Sequence, residues 1–543
     1  MMHKTTLLAI TSMGIVLLLE ACSGPTPSAS PAPQTTSEPA TVPAPTDQPS
    51  EAPTMVALKD ALGGLEARDV FQNFYDITQV PRRSGHMQEI RQFLVTFGQG
   101  LGLETTVDEA GNVIIRKPPA PGLENRKGVV LQAHMDMVAQ KTDGKDFNFD
   151  SDPIQAFVRG DYIVTDGTTL GADDGIGMAM IMAVLQSKTL QTGPIEGLFT
   201  VNEETDMSGA AGLKGDVLQG RTLINLDAET EGTLYIGAAG GGHMVIDAAY
   251  PQVPAPVGSA SYLVKVLGLK GGHSGININL GRGNAIKLLA RLLSQASEQF
   301  VMQAASLSGG TACNAIPREA SALVLVQDTQ VEAFSSLARD YETAIRTELA
   351  AVEPDLTIDL QPVESPTQMM DPAFQSVLIN ALYASPQGVL RMSDTIPGLV
   401  ETSTNLGIVD VQEGRMQIVY CPRSSVDSQL DDVSRMIASV WELAGYRADR
   451  MDYYGAWTPD LNSPILGLMK ATYLDLYGQE PAVVAVHAGL ECGTIGSTYP
   501  DMDMLSVGPT LADVHTTEEN LTISSVAKVM ALLSEVLQHM PER

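Results

Sequence analysis

Apolar positions along this chain fall into short runs that repeatedly end on a charged side chain or an imidazole. The stretch LQAHMDMV, residues 131–138, reads as a buried strand, yet it carries His134 and Asp136. Side chains two apart on a strand project to one face, so these two form a local polar pair. Further on, a Gly-rich turn leads Asp173 and Asp174 into the segment Ile176 to Leu185, which is apolar on every side and predicts a helix buried under a sheet. The apolar run from Ile195 to Val201 ends on Glu203 and Glu204, and the strand in TLINLDAE ends on Asp227. The strand in MDMLSVG leads to a loop holding His515, and an apolar stripe through Val526, Val529, Leu533 and Val536 predicts a helix over about Ile523 to Met540.

Each polar group has an ordinary account by itself. Asp136 serves as a structural carboxylate, Asp173 or Asp174 as a helix cap, and Glu203 with Glu204 as a solvated loop. The recurrence is what points to chemistry. In an open α/β sheet ligands bind beyond the carboxyl ends of the strands, so loops following five such strands converge there. Two imidazoles and several carboxylates without a thiolate match a two-metal hydrolase centre better than a structural zinc site.

The 543-residue chain holds 33 Lys and Arg against 64 Asp and Glu, a formal charge of −31, which repels nucleic acid and excludes it as a partner. No G-x-S-x-G elbow occurs, which disfavours a serine hydrolase. His3 and Lys4, the apolar run from Leu7 to Leu19 and the Ala21-Cys22 pair are similar to a lipoprotein signal. Residues 1–22 are therefore expected as a signal peptide, with lipidation at Cys22 as the only membrane attachment and an extracytoplasmic, lipid-anchored body. Residues 23–55, rich in Pro, Ser, Thr and Ala, are expected as a disordered tether. The remaining Cys313, Cys421 and Cys492 are odd in number and lack CxxC spacing, which predicts neither a disulfide framework nor a cysteine zinc site.

From about Val56 onward the motifs QAHMDMV, TLGADDGIGMA, NEETDMSG, LINLDAE, GGHSGININLGRGNA, NAIPREA, RSSVDS and HAGLECG resemble the di-zinc metallopeptidases that include aminoacylase and glutamate carboxypeptidase, nearest the aminoacyl-histidine dipeptidase branch. The resemblance implies an α/β catalytic domain over residues 56–240 and 456–543, its mixed sheet flanked by helices. An inserted α+β lid and dimerisation domain would span residues 241–455, with a homodimer through that lid. It implies two zinc ions, or manganese or cobalt, held terminally by His134, Glu204, Asp227 and His515 and bridged by Asp173. Asp136 would orient His134, and Glu203 would be the general base for a metal-bridging water. His273 would stabilise the oxyanion, while Arg423 and Asn314 would hold the substrate's terminal carboxylate; His487 and Glu491 would shape the pocket or serve structurally. The implied activity is hydrolysis of short L-peptides, Xaa-His dipeptides first. Two alternatives stand beside it: an N-acyl amino acid deacylase or tripeptidase with the same metals, and a peptide-binding lipoprotein.

Overall fold

The computed structural model describes residues 55–543. The expected signal, Cys22 and nearly all of the tether lie outside them. An eight-stranded mixed sheet runs in the order Glu104–Val107, Val113–Lys117, Ile195–Thr200, Val129–His134, Thr222–Asn225, Asp503–Ser506, Thr233–Ala238 and Ala482–Val486. Its four central neighbours, from Ile195–Thr200 to Asp503–Ser506, are mutually parallel, so their carboxyl ends share one edge. Every residue of Val129–His134 and Ile195–Thr200 is buried, as expected of parallel strands covered on both faces.

The helix Ala172–Gln186 covers this sheet, and its residues from Asp174 to Leu185 are all buried. Gly197 permits the close approach: a Cβ there would lie 2.8 Å from Ile181 Cγ2 and 3.0 Å from Leu185 Cδ1. Each fully buried Leu, Ile or Met side chain contributes about 1.5–3 kcal/mol relative to exposure, so this all-apolar helix anchors the layer that carries the site. The C-terminal helix, Ile523–Gln538, packs into the same core through Val526, Val529, Leu533 and Val536.

A second, antiparallel sheet has nine strands, including Ser259–Leu267, Ala320–Gln327, Met302–Gly309, Val400–Gln412, Arg415–Ser424, Gly240–Ala249 and Asp449–Tyr454. It builds a separate core with helices such as Ala285–Gln299, whose Asn284 side chain caps the Lys287 amide at 3.2 Å. In Arg415–Ser424, Met416, Ile418 and Tyr420 face that core, which leaves Cys421 and Arg423 on the opposite face.

Candidate metal centre and active site

Five of the polar residues follow the carboxyl ends of the four parallel strands. His134 ends its strand, Glu203 and Glu204 lie in the turn after Thr200, Asp227 stands two residues past Asn225, and His515 follows in the loop after Ser506. Asp173 comes instead from the first turn of Ala172–Gln186, so a helix start replaces one of the five expected strand ends. Its two oxygens bind different imidazoles: Oδ1 is 3.0 Å from His134 Nε2, and Oδ2 is 3.0 Å from His515 Nε2. Asp227 Oδ1 lies 3.5 Å from His134 Nε2, and Glu204 Oε2 lies 3.0 Å from His515 Nε2. The arrangement pairs His134 with Asp227 and His515 with Glu204, with Asp173 between the pairs.

The scaffold behind this cluster is itself charged. Glu519, almost wholly buried, accepts the backbone N–H groups of Leu170, Gly171, Ala172 and Asp173 at 2.8, 3.0, 2.8 and 3.4 Å, which fixes the loop carrying Asp173. Buried Arg82 donates to the carbonyls of Met135 at 3.1 Å, Asp136 at 2.8 Å and Gly171, tying the end of the His134 strand to the Asp173 loop. Neither residue was among the sequence-predicted ones. No side-chain pattern in PRRSG or TTEEN marks them, because the groups they bind are backbone atoms distant in sequence. Glu519→Ala leaves three buried amides and the part-buried amide of Asp173 without their acceptor and Arg82 without its largest counter-charge; we expect a loss of about 3–5 kcal/mol in chemical unfolding.

Asp136 lies just past its strand rather than on it. Its carboxylate is 3.6 Å from His134 Nδ1, beyond hydrogen-bond range, whereas its own backbone oxygen is 3.2 Å away. The carboxylate oxygens accept from Ser84 Oγ at 2.8 Å and from the amides of Glu203 and Glu204 at 3.0 and 3.3 Å. Asp136 therefore positions the Glu203–Glu204 turn as directly as it faces His134.

Burial and the negative charge of Asp173 push the Asp227 carboxyl up to about 8, and burial with Asp173 pushes Glu229 up to about 7. Burial would also raise Asp173, yet hydrogen bonds from His134 and His515 hold it well below the usual carboxylate range. Hydrogen bonds from Asp173 and Glu204 raise His515 to about 11. Glu204 Oε1 is buried with no partner. A dense set of carboxylate and imidazole donors with an orphaned buried oxygen fits divalent cations, whose charge offsets this repulsion.

The remaining candidates come from several segments: His273 from the short strand Gly272–His273, Asn314 from a loop, Arg423 from the second sheet, and His487 and Glu491 from the loop and helix that follow Ala482–Val486 at the edge of the first sheet. Amides of Gly275 and Ile276 donate to His273 Nδ1 at 3.2 and 3.1 Å, an assignment that leaves its ring proton on Nε2. Arg423 is buried and donates from Nη1 to the Tyr454 hydroxyl at 2.9 Å, while its Nε has no partner. His487, whose Nε2 lies 2.7 Å from Ser403 Oγ, is pushed down to about 3 by burial and by the nearby Arg423 and His273. Asn314 is exposed, and its carbonyl accepts the Ser274 amide at 2.7 Å. Glu491 is buried and accepts from Gln132 and Thr200 at 2.6 Å each. Among the described residues, no hydrogen bond or ion pair links His273, Asn314 or Arg423 to the carboxylate cluster. A cavity of about 1000 Å³ lies at the other end of the strands, against Ile195, Thr222 and Asp503, and does not serve the cluster.

The model of peptidase family M20/M25/M40 matches residues 130–539, which contain all five clustered residues. The chain belongs to this family. It is a hydrolase of a metal-dependent peptidase family, which sets aside the binding-lipoprotein alternative. The family member is 40% identical over 482 residues, 89% of this chain and 99% of the relative, to the cytosol non-specific dipeptidase of Escherichia coli. It is 39% identical to the crystal structure of aminoacylhistidine dipeptidase from Vibrio alginolyticus, with a TM-score of 0.84 over 89% of this chain and 98% of that one. The expected extracytoplasmic, lipid-anchored location is corrected here. The relative spanned over nearly its whole length is named for the cytosol. The lipoprotein reading rested on one short apolar run before a cysteine, interrupted by the charged Glu20 at the point where small, neutral residues are needed.

Proposed function

We propose that this family member is a dipeptidase using two zinc ions, replaceable by manganese or cobalt, with His134 and Asp227 holding one ion, Glu204 and His515 the other, and Asp173 bridging them. The observation that carries the reading is Asp173, with one oxygen 3.0 Å from each of the two imidazoles. Bound there, the ions supply Lewis acidity that polarises the scissile carbonyl and acidifies water. Glu203, fixed through its amide to Asp136, takes the proton of the attacking water and delivers it to the leaving amine. His273, with its proton on Nε2, donates to the developing oxyanion. Arg423 presents its buried guanidinium to the terminal carboxylate of the peptide, and Asn314 assists at the pocket margin. Residues 241–455 act as the lid that delivers these groups.

The names of the two similar proteins support a broad dipeptide range that includes Xaa-His. Hydrolysis of a panel of L-dipeptides, tripeptides and N-acyl amino acids tests this: we expect turnover of dipeptides, Xaa-His among them, and turnover of N-acyl amino acids alone would sink it. Arg423→Lys tests the clamp. A point charge replaces a bidentate fork, so KM should rise about 10- to 100-fold, the equivalent of 1.4–2.8 kcal/mol, with a smaller change in kcat.

A further inference from the structure

On the face of the second sheet turned away from its core, three side chains from separate segments meet. A nitrogen of His243 and the sulfurs of Cys313 and Cys421 all lie within 4.8 Å of one another. Both cysteines are free thiols. We propose that His243, Cys313 and Cys421 form a further metal site, one that takes a thiophilic divalent ion such as zinc or cadmium and shares no residue with the carboxylate centre.

Four observations carry the assignment. First, donor chemistry: one imidazole and two thiolates are a zinc set with a fourth position left open, and distances of about 2.3 Å for sulfur and 2.0 Å for nitrogen require the three groups to close by at most about 1 Å. Second, the imidazole is already oriented, because Asp452 Oδ2 lies 3.2 Å from His243 Nδ1, the carboxylate–histidine arrangement that stands behind metal-binding imidazoles. A register shift between Gly241 and His243 against the strand Asp449–Tyr454 sets that alignment. Third, the backbone is built for the approach of Cys313. A Cβ at position 407 would lie 2.6 Å from the Cys313 Cα and carbonyl oxygen, so only glycine there lets the 313 segment reach the sheet, where Asn405 Nδ2 donates to the Cys313 carbonyl at 2.9 Å. Fourth, an ion has a route in: the side chains of His243 and Asp452 are 38% and 72% exposed. Lack of CxxC spacing hid this site in the sequence, because sheet register sets His243 beside Cys421 and a loop brings Cys313 against them. Occupancy would tie the segment bearing Asn314, next to Cys313, to the strand bearing Arg423, two residues beyond Cys421.

The test is a cadmium titration of the reduced, zinc-loaded full chain, followed by the ultraviolet cadmium–thiolate charge-transfer band, which carboxylate and imidazole ligands do not produce. We expect a band that saturates at one cadmium per chain, is abolished in Cys421→Ser and in Cys313→Ser, and is unchanged in Cys492→Ser. Asp452→Asn, at an exposed position and so without consequence for folding, should weaken cadmium binding about 10- to 100-fold. Absence of the band, or its persistence in Cys421→Ser, would overturn the proposal. Because the readout is spectroscopic and the residues are separate, neither result depends on the dipeptidase reading.

Discussion

Glu203→Ala is expected to lower kcat for dipeptide hydrolysis by about 1,000-fold while leaving bound metal and KM nearly unchanged. The side chain is not among those that contact His134 or His515, so its loss removes no donor from the cluster. Its amide, which donates to Asp136 Oδ1 at 3.0 Å, survives the substitution, so the turn that presents Glu204 should keep its shape. Such a variant separates proton transfer from metal binding. Metal analysis beside steady-state kinetics checks it, and a fall in kcat of less than tenfold would remove Glu203 from the role of base.

Asp173→Ala is expected to abolish turnover for a different reason. Asp227 and Glu204 each approach a single imidazole, whereas Asp173 approaches both. Removing it unlinks the two halves and takes a negative charge from between them, so both ions should bind more weakly. The effect is also readable without activity. A ligand present at a hundredfold excess over its Kd stabilises the native state by about 2.7 kcal/mol. Zinc should therefore raise the Tm of the wild-type chain and leave that of Asp173→Ala almost unmoved. An equal zinc-induced rise in both would show that Asp173 is not a bridge.

The sequence carries much of this centre, and the reason is geometric. Strand-end positions in a parallel layer share one edge, so His134, Glu204, Asp227 and His515 could be read as neighbours from the apolar runs preceding them. The helix expected over Ile176 to Leu185 lies within Ala172–Gln186, and the one expected over Ile523 to Met540 is Ile523–Gln538. What stayed hidden depends on long-range contacts with the backbone. Glu519 and Arg82 act on amides and carbonyls that no side-chain pattern marks, and Asp136 was read as belonging to its own strand although its carboxylate serves a turn 67 and 68 residues away. The His243, Cys313 and Cys421 grouping was missed for the same reason, since only strand register shows which residues of Gly240–Ala249 and Arg415–Ser424 are neighbours.

The most direct test of the central claim is dipeptide hydrolysis by the chain after its metal has been stripped by a chelator and again after zinc has been restored. The two-metal dipeptidase account predicts no turnover in the stripped protein and recovery on Xaa-His and other dipeptides once zinc returns. Undiminished hydrolysis by the stripped chain, or a zinc-loaded chain that cleaves no dipeptide, would contradict it.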